Sequence, residues 1–289
     1  MSKSYYSLGL MSGTSMDGVD TSVIQTDGKS EYTAILDKYY EYPKSIYKNL
    51  TKLRDKIKSS KDLKKYQKHI KSVEKEITIF HGESVNRILK KTKINIDFIG
   101  FHGQTIFHNV KEKISKQLGD GKLLSKLIKK TVIYNFRKND LVNNGEGAPL
   151  APIFHKLLVT KYKIKTPLII LNIGGIANIT SINKKYELIS SEDIGPGNCL
   201  IDRWIRLKSD KKHDEKGLIA RSGTVDKFIL NQSLDNFYNS KICKKKSYDT
   251  NDFDLSFAKG LSLKDGASTL TEFTAEICSK KLKNQNIYV

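Results

Sequence analysis

Arginine is scarce in this strongly basic chain. Of 51 Lys and Arg residues, set against 31 Asp and Glu for a net charge of +20 over 289 residues, only six are Arg. Specific base reading and tight phosphate clamps rely on the forked guanidinium group. The lysines are scattered, so the composition favours a solvated basic surface over a nucleic-acid site. A basic nucleic-acid-binding protein is therefore a functional hypothesis that the composition does not favour.

Cysteines and long apolar runs are also few. Cys199, Cys243 and Cys278 are odd in number and far apart, which excludes a disulfide framework and a cysteine metal cluster. No stretch approaches the roughly 18 apolar residues of a membrane span, and the N-terminus lacks the pattern of a secretory leader. The sequence therefore predicts a soluble, cytoplasmic protein without nucleic-acid or membrane partners.

The length and a hydrophobic content of 38% fit two α/β lobes with real cores. Each half opens with a strand, a turn rich in small residues and a second strand, with the turns near 11–18 and 174–175. This repetition predicts a duplicated α/β architecture. The expected division is an N-terminal lobe, 1–140, with the first turn, and a C-terminal lobe, 141–289, with the second.

Neither glycine turn matches a common nucleotide fingerprint, yet both offer backbone amides to a phosphate. In the first turn, residues 9–20, Asp17 and Asp20 would repel phosphate unless Mg²⁺ lies between them. The second, residues 171–180, has a similar double-glycine bend. Each turn alone is more simply a hairpin. Two such turns facing one cleft would form a phosphate clamp.

Asp193 is the most reactive-looking side chain. It lies on a predicted loop ahead of a Gly-Pro-Gly turn, and a helix predicted to begin at Asn198 follows. A carboxylate near a helix N-terminus is suited to act as a general base. The simpler alternative is that Asp193 only caps the turn.

Arginine and histidine side chains flank two further glycine-containing segments. Arg137 lies near a glycine-rich bend and is either a fork for a carboxylate ligand or one half of an ion pair with Asp140. His102 and His108 enclose a short polar segment. They lack a third ligand at metal-site spacing, so hydrogen-bonding or packing roles are favoured over a metal pair.

Seven segments together resemble the anhydro-N-acetylmuramic acid kinase family. They are residues 9–20, 101–108, 135–140, 147–150, 172–178, 193–198 and 270–275. The resemblance implies a two-lobed, actin-like ATPase fold of the ribonuclease H-like class, with ATP and Mg²⁺ in the cleft. It also implies conversion of 1,6-anhydro-N-acetylmuramic acid, ATP and water to N-acetylmuramic acid 6-phosphate and ADP, in cell-wall recycling, by a homodimer.

The resemblance also assigns the site residues. Asp193 would be the catalytic base that primes water. The ATP-binding residues would be Gly13, Thr14, Ser15, Met16, Asp17, Gly18, Val19, Asp20, Gly174, Gly175, Asn178, Gly195 and Gly197, with Mg²⁺ at Asp17. Gln104, Arg137 and Asp140 would contact the sugar, Arg137 through its lactyl carboxylate.

The chain departs from the family pattern in two places. Asn144 and Glu146 stand where the family usually has Gly and Gln, and Glu146 adds a negative charge near an anionic substrate. The chain also stops on the strand near 286–289, where the family continues into a loop that holds the adenosine. We therefore expect a second lobe that is incomplete at its C-terminus. The alternative hypothesis is a catalytically impaired remnant or a sugar-binding module of the same fold.

Overall fold

The computed structural model describes residues 3–245, 247–282 and 286–289, and the chain divides into two units, Met1–Leu150 and Ala151–Val289. The first unit contains β1 (Tyr5–Ser12), β2 (Gly18–Thr26), β3 (Tyr32–Glu41), α1 (Lys44–Lys56), α2 (Ser60–Lys65), α3 (Gln67–Thr92), β4 (Phe98–Asn109), β5 (Ile114–Leu118), α4 (Gly121–Ile128), β6 (Thr131–Tyr134) and α5 (Phe136–Val142). The second contains α6 (Pro152–Lys161), β7 (Leu168–Ile173), β8 (Ala177–Ile182), β9 (Leu188–Gly195), α7 (Cys199–Lys208), α8 (Leu218–Arg221), α9 (Lys227–Asn239), α10 (Leu263–Lys281) and β10 (Asn286–Tyr288).

The sheet of the first unit is mixed, with strand order β3-β2-β1-β4-β5 and with β6 also paired to β4. β1, β2 and β3 form an antiparallel meander, whereas β4 runs parallel to β1 and β6 runs parallel to β4. Parallel strands end at the same edge of a sheet. Ser12 at the end of β1 is therefore paired with Gln104 of β4, which brings a distant segment beside the first glycine turn.

Helix α3 supplies much of the first unit's core. Its helically spaced residues Ile70, Val73, Ile77 and Phe80 are all buried, because the helix packs against α1, α4 and β2. Apolar residues three and four positions apart share one face of a helix, so this stripe was readable from the sequence. Helices α1, α3 and α4 also contact strands of the sheet, α1 at β4, α3 at β2 and β5, and α4 at β6.

The second unit repeats the same arrangement in part, with strand order β10-β7-β8-β9. β7, β8 and β9 form an antiparallel meander and β10 is parallel to β7, as β4 is to β1. Helix α10 packs on α7, α8, α9 and β9. Trp204, the single tryptophan, is fully buried there and donates its Nε1–H to the Leu263 carbonyl at 2.9 Å.

The α/β class is confirmed, with mixed sheets in both units. The domain boundary predicted between residues 140 and 141 falls inside α5, a helix that lies within the first unit. Within the described residues, none of the helices combines the length and the apolar character that a membrane span requires.

Candidate active site

The first glycine turn joins β1 to β2. Met16 adopts a left-handed backbone conformation, with φ 60°, and buries its side chain, while its N–H donates to the Gly13 carbonyl at 3.2 Å. Thr14 and Ser15 are exposed. The turn is thus anchored inward by one apolar side chain and directs its small polar residues outward. A left-handed backbone conformation costs free energy in a residue with a side chain of this size, and it persists only where the surrounding structure fixes it. Such strain is frequent at ligand-binding turns.

Two carboxylates and a tyrosine lie at the β2 end of this turn. Ser15 Oγ donates to Asp17 Oδ1 at 2.5 Å. Burial first, and the nearby Asp17 carboxylate second, raise the pKa of the Tyr39 hydroxyl. Partial burial and the negative charge of Asp17 raise the pKa of the Asp20 carboxyl. A Cβ on Gly18 would lie 2.5 Å from the Tyr40 carbonyl oxygen and 2.6 Å from the Tyr39 ring, so glycine allows β3 to approach the start of β2 closely.

Asp17 and Asp20 together fit a divalent cation in part. Burial is the main cause of the raised pKa of Asp20, and repulsion from Asp17 adds to it; a cation between the two carboxylates would relieve that repulsion. Among the described residues, no three His, Cys, Asp or Glu side chains gather as a metal site. Mg²⁺ commonly uses one or two carboxylates and takes its other ligands from water and phosphate oxygens. The predicted Mg²⁺ site at Asp17 therefore depends on a bound phosphate.

Gln104 reaches the first turn from β4. Its Nε2 donates to the Gly13 carbonyl at 2.9 Å across 91 residues of sequence, and its side chain is 1% exposed. Its Oε1 is buried and has no hydrogen-bond partner in the described part of the chain. A buried acceptor without a partner costs free energy. A ligand that donates an O–H or N–H here would remove that cost.

His102 and Arg137 are hydrogen-bonded to each other in the first unit. Arg137 Nε donates to His102 Nε2 at 2.9 Å, while His102 Nδ1 is 2.8 Å from the Gly103 carbonyl. The carbonyl can only accept, so the ring proton is on Nδ1 and both ring nitrogens are occupied. Burial, with a contribution from Arg137, lowers the pKa of His102 to about 4. A metal role for His102 is therefore not supported, in agreement with the favoured prediction.

The bend at 144–147 is held by Arg137 and Asp140, two of the three predicted sugar-binding residues. Arg137 Nη1 donates to the Gly147 carbonyl at 2.9 Å, and Asp140 Oδ2 accepts the Gly147 N–H at 2.7 Å. The segment that carries Arg137 and Asp140 forms α5. Asn144 has φ 67°, the left-handed conformation that glycine or asparagine tolerates best.

The second glycine turn is joined backbone to backbone to the start of α7. The Gly174 and Gly175 carbonyls accept the N–H groups of Asn198 and Cys199 at 2.8 and 3.1 Å. Gly197 has φ 51°, and a Cβ there would overlap the Gly174 carbonyl oxygen. Asn198 is the N-cap of α7, as the sequence predicts, but its side chain makes no capping hydrogen bond to the helix. The bend's carbonyls satisfy the first helical amides instead, and the Asn198 amide group donates to the Ile173 carbonyl at 3.3 Å.

Packing against α10 requires glycine at position 195. A Cβ there would lie 2.9 Å from Ile277 Cγ2 of α10, so glycine allows the long helix to approach the end of β9. Gly195 and Gly197 are both buried. Their predicted contact with nucleotide stays a prediction.

Asp193 lies within β9 rather than on a loop. It is paired with Asn178 of β8, which is in turn paired with Asn172 of β7, so three polar residues form one row across the sheet. Residues in such a row project from the same face. Asp193 Oδ2 accepts the Tyr248 N–H at 2.8 Å. The structure thus brings the predicted base and the predicted nucleotide ligand Asn178 together.

The segment that supplies this amide was not found from the sequence. Tyr248 is buried with its ring 5.1 Å from that of Phe253, and Arg203 Nη1 of α7 donates to the Phe253 carbonyl at 2.9 Å. Arg203 and the aromatic pair thereby fix the position of the Tyr248 amide. A backbone N–H carries no residue-type signal, and only the scarcity of arginine in the chain could have drawn attention to Arg203.

Comparison with known proteins is decisive at the level of family. Residues 5–287 match the family model described as anhydro-N-acetylmuramic acid kinase. The chain belongs to this family. Among curated members, that of Pelagibacter ubique is 57% identical over 278 residues, which cover 96% of this chain and 74% of the relative. The Zymomonas mobilis member is 37% identical, with 95% and 76% covered.

Membership of the anhydro-N-acetylmuramic acid kinase family confirms the resemblance predicted from the seven segments, and with it a kinase activity. The impaired-remnant and binding-module alternatives are not favoured. Some of the predicted residues meet within each unit: Gln104 contacts Gly13 of the first turn, Arg137 and Asp140 both contact Gly147, and Asp193 is paired with Asn178. The roles of single residues stay predictions.

Proposed function

We propose that this chain is the ATP-dependent kinase that opens 1,6-anhydro-N-acetylmuramic acid with water and phosphorylates O6, giving N-acetylmuramic acid 6-phosphate for cell-wall recycling. The family match over residues 5–287 carries the proposal. The repeated order of three antiparallel strands and one parallel strand supports a two-lobed, actin-like fold of the ribonuclease H-like class. We place the reaction in the cytoplasm, where ATP is available, and propose a homodimer, which light scattering tests.

Asp193 is the base in this proposal. Its carboxylate takes one proton from a water molecule, whose oxygen bonds to C1 of the sugar while the C1–O6 bond breaks. The released O6 then bonds to the γ-phosphorus, and the bond from that phosphorus to the bridging oxygen of ADP breaks. The second proton of the water stays on the new C1 hydroxyl. One base therefore serves both steps, because the oxygen that leaves carbon is the nucleophile for phosphorus.

The position of Asp193 suits this role. The Tyr248 N–H fixes Oδ2 at 2.8 Å, so the carboxylate has a defined orientation on its strand. Asn178, its neighbour in the row, contributes an amide group on the same face. An oriented base is more effective than a mobile one, since a proton transfer needs an approach of about 3 Å between heavy atoms.

The two turns are proposed to bind phosphates. The outward residues Thr14 and Ser15 offer their backbone amides, and Thr14 also its hydroxyl, which donate hydrogen bonds to phosphate oxygens. Bound Mg²⁺ would neutralise part of the phosphate charge. Asp17, and Asp20 beside it, would hold that ion from the protein side.

The sugar is proposed to bind beside Gln104 and Arg137. Gln104 Oε1, buried without a partner among the described residues, would accept a donor of the sugar, and Arg137 would bind the lactyl carboxylate. His102 and Gly147 fix the Arg137 guanidinium from two sides, which reduces the entropy lost on binding. Glu146 lies in the same bend and is expected to weaken binding of an anion.

Direct turnover tests the proposal. The purified chain is incubated with ATP, Mg²⁺ and 1,6-anhydro-N-acetylmuramic acid, and ADP and the 6-phosphate are measured by mass spectrometry. Asp193→Asn should lower kcat by about 10²–10⁴-fold, with ATP affinity changed little. Asp235→Asn, at an exposed position of α9, is the matched control and should keep the wild-type rate. Absence of sugar phosphate from the wild type, or full activity in Asp193→Asn, would overturn the proposal.

A further inference from the structure

Tyr42 is bonded to both ends of the first glycine turn. It follows β3 directly, and its N–H donates to the Asp17 carbonyl at 2.8 Å. Its hydroxyl lies 2.7 Å from Ser12 Oγ. Ser12 is the residue before Gly13, so the turn 13–17 is closed between the two contacts of one residue. No feature of the turn's own sequence indicates this partner.

The hydroxyl contact belongs to a directed series of hydrogen bonds. Ser12 Oγ is 3.4 Å from His81 Nε2, and His81 Nδ1 is 2.8 Å from the Ile77 carbonyl. Because a carbonyl only accepts, Nδ1 holds the ring proton and Nε2 is an acceptor. Ser12 therefore donates to His81, and Tyr42 donates to Ser12. Each of these hydroxyl and imidazole donors has a partner.

The series lies in the core of the first unit. Ser12 and Tyr42 are each 2% exposed and His81 is fully buried. The Phe80 ring lies 5.0 Å from that of Tyr42, and the Phe101 ring lies 4.9 Å from that of His81. Burial lowers the pKa of His81 to about 4, so the imidazole is neutral near pH 7 and the direction of the series is constant there.

We propose that Tyr42 is a positioning residue for phosphoryl transfer, which holds the backbone of residues 13–17 so that the Thr14 and Ser15 amides keep the geometry that binds the transferring phosphate. The inference rests on the proposed kinase function. Tyr42 itself lies beneath the turn and acts through Ser12 and Asp17. Donors fixed in advance need no reorganisation during the reaction, and a displacement of about 1 Å can reduce a rate by roughly 10²-fold.

The neighbouring tyrosine provides a matched control. Tyr40 lies near the end of β3 and is partly buried, and its hydroxyl is buried without a hydrogen-bond partner among the described residues. Tyr42→Phe and Tyr40→Phe each remove one buried oxygen. Only the first removes a bond to the turn, so a general packing effect and a positioning effect give different results.

Two measurements test the proposal. Hydrogen exchange of the ligand-free protein reports the turn directly, and steady-state kinetics with varied ATP and varied sugar reports catalysis. In Tyr42→Phe, exchange of the Met16 amide and of the amide of residue 42, which donate to the Gly13 and Asp17 carbonyls, should be at least tenfold faster. The kcat should fall about tenfold with the KM for the sugar unchanged. Ser12→Ala should have the same effects, and the double variant should be no worse than either single one. Tyr40→Phe should match the wild type in both.

The exchange result is independent of turnover, so it separates this proposal from the proposed function. If the wild type is inactive, the kinase assignment fails. Unchanged exchange in both Tyr42→Phe and Ser12→Ala would still refute the positioning role of Tyr42. If the wild type is active and Tyr42→Phe behaves like Tyr40→Phe in exchange and in kcat, the kinase assignment stands and the proposed positioning role of Tyr42 is wrong. Should Tyr42→Phe fail to fold, Ser12→Ala alone decides by the same two readouts.

Discussion

Replacing Gly197 by alanine tests whether the second glycine turn and α7 form one rigid element. Gly197 has φ 51°, and an added Cβ would overlap the Gly174 carbonyl oxygen and lie 2.9 Å from the Ala177 nitrogen. Both obstacles are backbone atoms, so no side-chain rotation relieves the overlap. The turn and the helix must separate, which breaks the bonds from the Asn198 and Cys199 amides.

The expected loss can be worked from these contacts. An alanine in the left-handed region costs about 1 kcal/mol, and two backbone hydrogen bonds contribute about 1 kcal/mol each. The free energy of unfolding of the second unit should therefore fall by about 3 kcal/mol. Gly217→Ala is the control, because Gly217 has φ 67° and nothing lies within 4 Å of its added Cβ. It should lose only the backbone contribution, about 1 kcal/mol.

Urea unfolding followed by Trp204 fluorescence measures both variants. The single tryptophan is buried in the second unit, so its emission reports that unit without the first. With an m-value near 2 kcal/mol/M, the midpoint should fall by about 1.5 M for Gly197→Ala and about 0.5 M for Gly217→Ala. Equal midpoints in the two variants would refute the reasoning that backbone contact, rather than backbone conformation, requires glycine at 197.

Three further substitutions test the first unit. The pKa of His102 is lowered to about 4 in the folded protein, so the unfolded state binds the proton more readily and the free energy of unfolding falls as pH drops from 7 to 5. His102→Gln should reduce that fall by about 2 kcal/mol, as measured by urea unfolding at both pH values. Arg137→Lys cannot reproduce the forked contacts to His102 and Gly147, so the KM for the sugar should rise about tenfold, whereas an unchanged KM would exclude Arg137 from sugar binding. Asp17→Asn should raise the Mg²⁺ concentration for half-maximal ADP release about tenfold; equal Mg²⁺ curves would place the ion elsewhere.

The sequence was informative wherever the signal is local. The stripe on α3 and the strand Thr131–Tyr134 follow from periodicity over a few residues, which a linear pattern records directly. The β1–β3 meander follows from short strands and turn residues. The seven segments determine the family, because each is a run of unusual residue types in fixed order.

The tertiary structure decided which groups meet. Gln104 contacts Gly13 because β4 pairs in parallel with β1, a pairing that no local pattern encodes. The capping of α7 by the Gly174 and Gly175 carbonyls was missed for the same reason, since those groups lie more than twenty residues away in the sequence.

The sequence by itself thus determined the class of the fold, the family and the candidate base Asp193. Only the tertiary structure decided that Tyr42 spans the first turn and that the Tyr248 amide holds Asp193. The physical reason is that the decisive groups are mainly backbone N–H and C=O. These are chemically alike at nearly every residue, so only the path of the chain determines which of them come together.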